Sequence, residues 1–175
     1  WQDQLGGGTP GIKLLETEPG VQQRPRITPV RLSPAIGEQL RRRLVVGFTG
    51  ERRVAKSILR QIMGRYLSRV PEVVNVLHHI KQIAREMKSA LEGGDLGEFG
   101  RLMARHWELN KTMDEQSTTA HTEALFAEAD DLIVGAKMAG AGGGGFMELI
   151  AKDAEAARRA SLGMHNRQTH RIPVN

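Results

Sequence analysis

From Pro71 onward the apolar positions recur at intervals of three and four. Val73, Val76, Leu77, Ile80, Ile83, Ala84, Met87 and Leu91 fall on one side of a helix, and Gly93-Gly94 ends it. Asp95 followed by Glu98 then opens a second helix in capping-box style, with Leu96, Phe99, Leu102, Met103, Trp107 and Met113 as its stripe. The same period holds from Glu51, where Val54, Ala55, Ile58, Leu59, Ile62, Met63, Tyr66 and Leu67 share a face that the pattern assigns to a core. Ser33-Pro34 is the cap and first residue of a shorter helix reaching Arg43, followed by a buried strand at Leu44–Phe48. Residues 121–130 give another short helix, and Asp153 caps a last one through Arg159.

Strand-like pattern occupies the remaining stretches. Gly11–Glu16 and Arg26–Leu32, set among prolines and glycines, read as a hairpin or two sheet-edge strands. Leu132–Met138 and Phe146–Ala151 flank a glycine loop and read as a hairpin-like pair. Residues 161–175 carry no acidic side chain and are expected to be a frayed tail or an edge strand. Strands and helices segregate along the chain, which argues α+β rather than a doubly wound parallel sheet.

Composition narrows the class. The chain has 175 residues, 26% of them charged and 39% hydrophobic, so it can bury a true core. It has no cysteine, which excludes disulfides, thiolate metal sites and a cysteine nucleophile, and it makes the cytoplasm the expected compartment. Twenty-five basic against twenty acidic residues leave +5, a mild preference for anionic partners. A nucleic-acid module would need more aromatic residues and a recognisable binding motif, so no nucleic-acid partner is expected. Leu132–Ala151 is the longest weakly polar stretch, yet it holds Lys137, Glu148 and six glycines, so no membrane span is expected. The chain starts at Trp1 with no basic-then-apolar leader and is expected to be a fragment or a processed chain.

The strongest chemical signal is Gly135-Ala136-Lys137-Met138-Ala139-Gly140-Ala141-Gly142-Gly143-Gly144-Gly145-Phe146. Five glycines among positions 140–145 remove side-chain bulk and permit positive φ, so several N–H donors can meet a phosphate or sugar. Gly140, Gly142 and Gly145 match G-x-G-x-x-G, but a strand rather than a helix follows, which excludes a dinucleotide fingerprint. No Gly-Lys-Ser/Thr closes the run, which excludes a Walker loop. The second signal is Trp1-Gln2-Asp3-Gln4, an aspartate between two amides, suited to general base or cation-ligand work. Arg41–Arg43 with Arg52 and Arg53 read first as a solvated basic face, and His78-His79 has no acidic partner at zinc spacing. His106 and Asn110 sit beside an apolar stripe and read as satisfied core polar groups; Lys111 and Lys137 are minor candidates for ordering phosphates.

Taken together, the two signals resemble the GHMP kinase superfamily, that of galactokinase and mevalonate kinase. There, an aspartate in a Gly-x-x-Asp-Gln context precedes a C-terminal Gly-Ala-Lys-x-x-Gly-Ala-Gly-Gly-Gly-Gly loop. Within it the chain is most similar to the L-fucokinase and heptose-phosphate kinase branch, which shares Trp-Gln-Asp-Gln. Leu44–Gly50, ending Phe-Thr-Gly, and His106-Trp107-Glu108-Leu109-Asn110-Lys111 leading to Asp114 also fit that branch.

The resemblance implies an antiparallel ferredoxin-like sheet packed by amphipathic helices over residues 33–175, the GHMP kinase C-terminal domain. Residues 1–32 would be the end of the N-terminal kinase domain. It implies transfer of the ATP γ-phosphate, with Mg2+, to a sugar hydroxyl, first of all from L-fucose to L-fucose 1-phosphate. A heptose-phosphate kinase, another sugar 1-kinase, or a non-catalytic domain that kept the fold are the alternatives. Asp3 would be catalytic; Gly140, Ala141, Gly142, Gly143, Gly144 and Gly145 would bind substrate or phosphate; Trp1 and Gln2 would contact the sugar; no residue is assigned to a metal. The family's own phosphate loop, Pro-x-x-x-Gly-Leu-x-Ser-Ser, has no counterpart here. The chain is therefore expected to need an N-terminal kinase segment and to be inactive without it.

Overall fold

The computed structural model describes residues 2–51 and 56–165; the side chains of Gln2, Asp3, Lys56 and His165 also lie outside the described residues. The chain opens with a short helix, α1 (Gln2–Gly8), where sequence pattern gave no helix. Its carbonyl end is held locally: the Thr9 hydroxyl donates to Leu5 O at 2.7 Å and the Lys13 ammonium to Gly6 O at 2.9 Å. β1 (Lys13–Glu16) and β2 (Arg26–Pro29) pair antiparallel as the expected hairpin. Glu16 binds Arg26 and Arg85 at 2.7 and 2.8 Å, joining the hairpin to the helix behind it. Those hydrogen bonds, that from Arg85 first, hold the Glu16 carboxyl below its ordinary pKa.

α2 (Pro34–Arg43) starts where Ser33 Oγ accepts the Ile36 N–H, with Pro34 at its first position, and runs directly into β3 (Leu44–Phe48). α3 (Lys56–Leu67) and α4 (Pro71–Gly93) follow. Gly94 ends α4 in the left-handed region at φ 77°, and Asp95 accepts the Glu98 N–H at 2.7 Å to begin α5 (Leu96–Met113). α6 (Ala120–Ala129) is capped reciprocally by Thr119 and Thr122. β4 (Ile133–Met138), β5 (Phe146–Ala151) and α7 (Ala154–His165) complete the described chain.

β3, β5 and β4 form one antiparallel sheet in that order, with Val45 opposite Leu149 and Ala136 also opposite Leu149. Helices cover both faces. On one, Leu40, Leu91, Leu96, Met103 and Ile150 join α2, α4 and α5 to the sheet. On the other, Val45, Met138, Met147, Leu149, Ala157, Ala160 and Met164 pack α7 against it. Each large apolar side chain buried this way contributes about 1.5–3 kcal/mol of transfer free energy. α5 approaches β4 at backbone distance: a Cβ on Gly135 would lie 1.8 Å from Gly100 O. This is the α+β architecture that the pattern implied, with a three-stranded sheet and a separate two-stranded hairpin among the described residues.

Two local expectations are corrected, and a third lies partly outside the described residues. The helix expected from Glu51 is described from Lys56, residues 52–55 lying outside the described chain. Its apolar stripe is not a core face: Ile58 is buried, whereas Leu59, Met63, Tyr66 and Leu67 are 50–73% exposed. Periodicity names the face of a helix but not what covers it. Residues 161–165 continue α7 rather than fray, because Ala160, Ser161 and Met164 are buried against the sheet; the rest of the expected tail lies outside the described residues.

Candidate functional site

The glycine loop connects β4 to β5 and is anchored at both ends. Ala139 N–H donates to Phe146 O and Thr49 N–H to Gly145 O, each at 2.8 Å, which extends the ladders of β4 and β3 into the loop. Gly140, Gly142, Gly143, Gly144 and Gly145 all have positive φ. The bend leans on two other segments. Gly143 N–H donates to Ser117 O at 2.5 Å, and Gly145 N–H donates to Glu51 O at 2.9 Å. A Cβ on Gly142 would stand 2.2 Å from Ser117 O and 2.8 Å from the Trp107 ring, so only a glycine fits there.

The supports are themselves held in place. Asp114 Oδ1 accepts the Gln116 N–H at 2.8 Å, and Ser117 N–H donates to Asp114 O at 2.9 Å, forming a one-turn 3-10 segment after α5. The buried Asp114 Oδ2 has no partner among the described residues. The Thr119 hydroxyl, which caps α6, donates to the Glu51 carboxylate at 3.1 Å. His121 Nε2 lies 2.8 Å from Thr49 O, a hydrogen bond when that nitrogen carries the proton. Thr49, which donates its N–H to the loop, and Ser117, which accepts from it, are each 1% exposed, so these two supports of the loop are buried.

Sequence reasoning treated the six loop positions as one set of donors. The structure divides them. The amides of Gly143 and Gly145 are spent internally; that of the buried Gly142 and those of the more exposed Gly140, Ala141 and Gly144 make no backbone bond among the described residues. The last three N–H groups could meet phosphate or sugar oxygens. Trp1 and the side chains of Gln2 and Asp3 lie outside the described residues, so their relation to the loop stays an expectation. Thr49, Glu51, Ser117, Thr119 and His121 were missed. The Thr119–Thr122 pair carries a capping signature, but nothing in the spacing links Glu51 or Thr49 to the loop.

His106 departs from the satisfied core group expected of it. Its Nδ1 is buried with no partner among the described residues. Burial first, and the Lys137 ammonium second, push its pKa down to about 4, so the ring is neutral at pH 7. Lys137 in turn stands 3.6 Å from Glu148 across the β4–β5 pair. Among the described residues no group of three His, Asp or Glu side chains could hold a metal ion, and no helix is long and apolar enough to cross a membrane.

Residues 87–168, which contain α5, α6, the loop and both of its strands, match the family profile described as GHMP kinases C terminal. Over those residues the chain is GHMP kinase C-terminal domain. Over 158 residues it is 35% identical to the bifunctional fucokinase/GDP-fucose pyrophosphorylase of Arabidopsis thaliana, covering 90% of this chain and 15% of that protein. It is 36% identical over 159 residues to the L-fucokinase/L-fucose-1-P guanylyltransferase of Bacteroides fragilis, covering 91% and 17%. Against the D-glycero-alpha-D-manno-heptose 7-phosphate kinase of Campylobacter jejuni it is 30% identical over 147 residues, covering 83% and 42%. The chain thus spans less than half the length of each of these relatives. The fold of the domain recurs in L. major mevalonate kinase in complex with R-mevalonate, with a TM-score of 0.73 at 19% identity, covering 92% of this chain and 48% of that one.

Proposed function

We propose that this GHMP kinase C-terminal domain is part of an ATP-dependent sugar kinase whose acceptor is L-fucose, phosphorylated at its anomeric hydroxyl. The observation that carries the reading is the pinned glycine bend, rigid at Gly143 and Gly145 and open at the amides of Gly140, Ala141 and Gly144. The identity to two fucokinases over about nine-tenths of the chain supports the choice of sugar.

In this reading the acceptor oxygen attacks the γ-phosphorus, the bond from phosphorus to the bridging oxygen of ADP breaks, and the hydroxyl proton leaves to Asp3. Phosphoryl transfer is mostly positioning and charge stabilisation, so preorganised N–H groups at the loop would favour the transition state without reorganising. Magnesium, when bound, would neutralise charge on the nucleotide oxygens; among the described residues no group of three His, Asp or Glu side chains could hold it. Residues 1–32 would then belong to the N-terminal kinase domain and residues 33–175 to the C-terminal one. Kinase chemistry would take place in the cytoplasm.

The test is ADP release by a protein carrying this segment behind its N-terminal kinase half, with L-fucose, other free sugars and heptose 7-phosphate in turn. L-fucose should give the highest kcat/KM, and Asp3→Asn should lower kcat by about a hundredfold or more while leaving the fold intact. The 175-residue chain alone should show no sugar-dependent ATP consumption. Preference for heptose 7-phosphate would replace the sugar; indifference to Asp3→Asn would overturn the catalytic reading.

A further inference from the structure

Along the outer edge of β4 runs a groove of about 440 Å3, lined by no residue of the glycine loop, although the Trp107 ring on its wall also stands against Gly142. Trp107, Glu108 and Lys111 of α5 line one side of it at helical spacing. Glu123 and Phe126 of α6, with Asp130 just after it, line the other, and residues 133–136 of β4 form its floor. The groove carries three features that the kinase reading does not use.

The first is an open edge. β4 pairs with β5 alone, so its outward N–H and C=O groups have no strand partner among the described residues. The second is an aromatic seat with an unspent donor. Trp107 and Phe126 rings stand 5.9 Å apart, and the buried Trp107 Nε1 has no acceptor among the described residues, although buried polar groups are normally paired. The third is charge. Lys111 lies 2.8 Å from Glu108 and 3.6 Å from Glu123, leaving the groove with three carboxylates against one ammonium on a chain whose net charge is +5.

We propose that this groove is a docking site for a basic, extended peptide segment of a protein partner, which adds to β4 as a further strand. Backbone pairing would supply affinity, and lysine or arginine side chains at alternate positions would reach the carboxylates on the two walls. A phosphate-bearing ligand would meet surplus negative charge. A second copy offering β3, the other edge strand of the sheet among the described residues, would bring Leu44–Phe48, which contains no basic residue to answer the acidic rim.

The experiment uses the full chain carrying Trp1→Phe, so that Trp107 is its one indole, and follows the indole N–H resonance by NMR. The probe is an N-acetylated, C-amidated Lys-Val-Lys-Val-Lys-Val peptide. Saturable movement of the Trp107 indole signal together with the amides of residues 133–136 is expected, with no response to the Glu-Val counterpart. Glu108→Lys with Asp130→Lys should weaken binding by about tenfold or more at low ionic strength. Glu108→Gln, a milder change at an exposed site, should weaken it less, and an unchanged spectrum elsewhere verifies folding of both variants. The proposal is overturned by no saturation at millimolar peptide, by equal binding of the Glu-Val peptide, by binding that is indifferent to the charge reversals, or by movement of the indole signal with protein concentration alone.

Discussion

Replacing Gly142 by alanine tests whether the glycine loop is a pinned structure or a slack turn. Gly142 has φ +85°, and a new Cβ would lie 2.2 Å from Ser117 O and 2.8 Å from the Trp107 ring. The left-handed backbone costs an L-residue about 1–2 kcal/mol. Overlap with a backbone carbonyl and a packed indole adds about 1–3 kcal/mol, because neither is the free end of a flexible side chain. Displacing Ser117 O also weakens the bond it accepts from Gly143, worth about 0.5–1.5 kcal/mol. The loss should therefore be about 3–5 kcal/mol, lowering Tm by about 10 °C in a chain of this size. Gly140→Ala is the control. Its φ is +68° but nothing lies within 4 Å of its Cβ, so the conformational cost of about 1–2 kcal/mol stands alone. Urea unfolding of both variants, extrapolated linearly, gives the difference. Equal stabilities within about 1 kcal/mol would refute the pinning of the loop to the Asp114–Thr119 segment.

Two further outcomes follow from burial and titration. On α3, Ile58→Ala should cost about 2–5 kcal/mol, whereas Leu59→Lys one position later should stay within about 0.5 kcal/mol, both read from urea midpoints; the two side chains are 1% and 54% exposed. For His106 the folded pKa of about 4 lies below the ordinary 6.5, so the unfolded chain takes up the proton first. Its contribution is fully present above about pH 6.5 and is lost as pH falls toward 4, by about 1–3 kcal/mol. His106→Gln should flatten that part of the stability profile, and an unchanged slope between pH 7 and pH 5 would contradict it.

What the sequence disclosed is what short-range chemistry decides. Ser33-Pro34, Gly94 and Asp95 mark helix ends because each cap bonds within four residues of itself, and all three act as their types require. The stripes of α4 and α5 were legible because their faces meet a core. That of α3 has the same period and meets mostly solvent, so the identical signal gave the wrong burial. α1 escaped notice because its three glycines argue against a helix, while the Lys13 ammonium that holds its carbonyl end comes from the next element.

The glycine loop shows the same division at the site. Its composition announced backbone access, and it resembled the family that the profile match bears out. Composition alone could not say which glycines serve packing and which serve a ligand. Gly142 must lack a side chain because Trp107 and Ser117 already fill that space. Gly140 and Gly145 have nothing within 4 Å of a Cβ, so no packing contact accounts for them. Gly145 has a second use, since its amide and carbonyl bridge Glu51 to Thr49 across the end of β3. Gly140 has no such bond among the described residues, and its amide stands beside that of Ala141 at an exposed turn. If a bound oxyanion is what holds Gly140 bare, Gly140→Ala should weaken nucleotide or sugar binding far more than its small stability cost, whereas Gly142→Ala should do its damage through the fold.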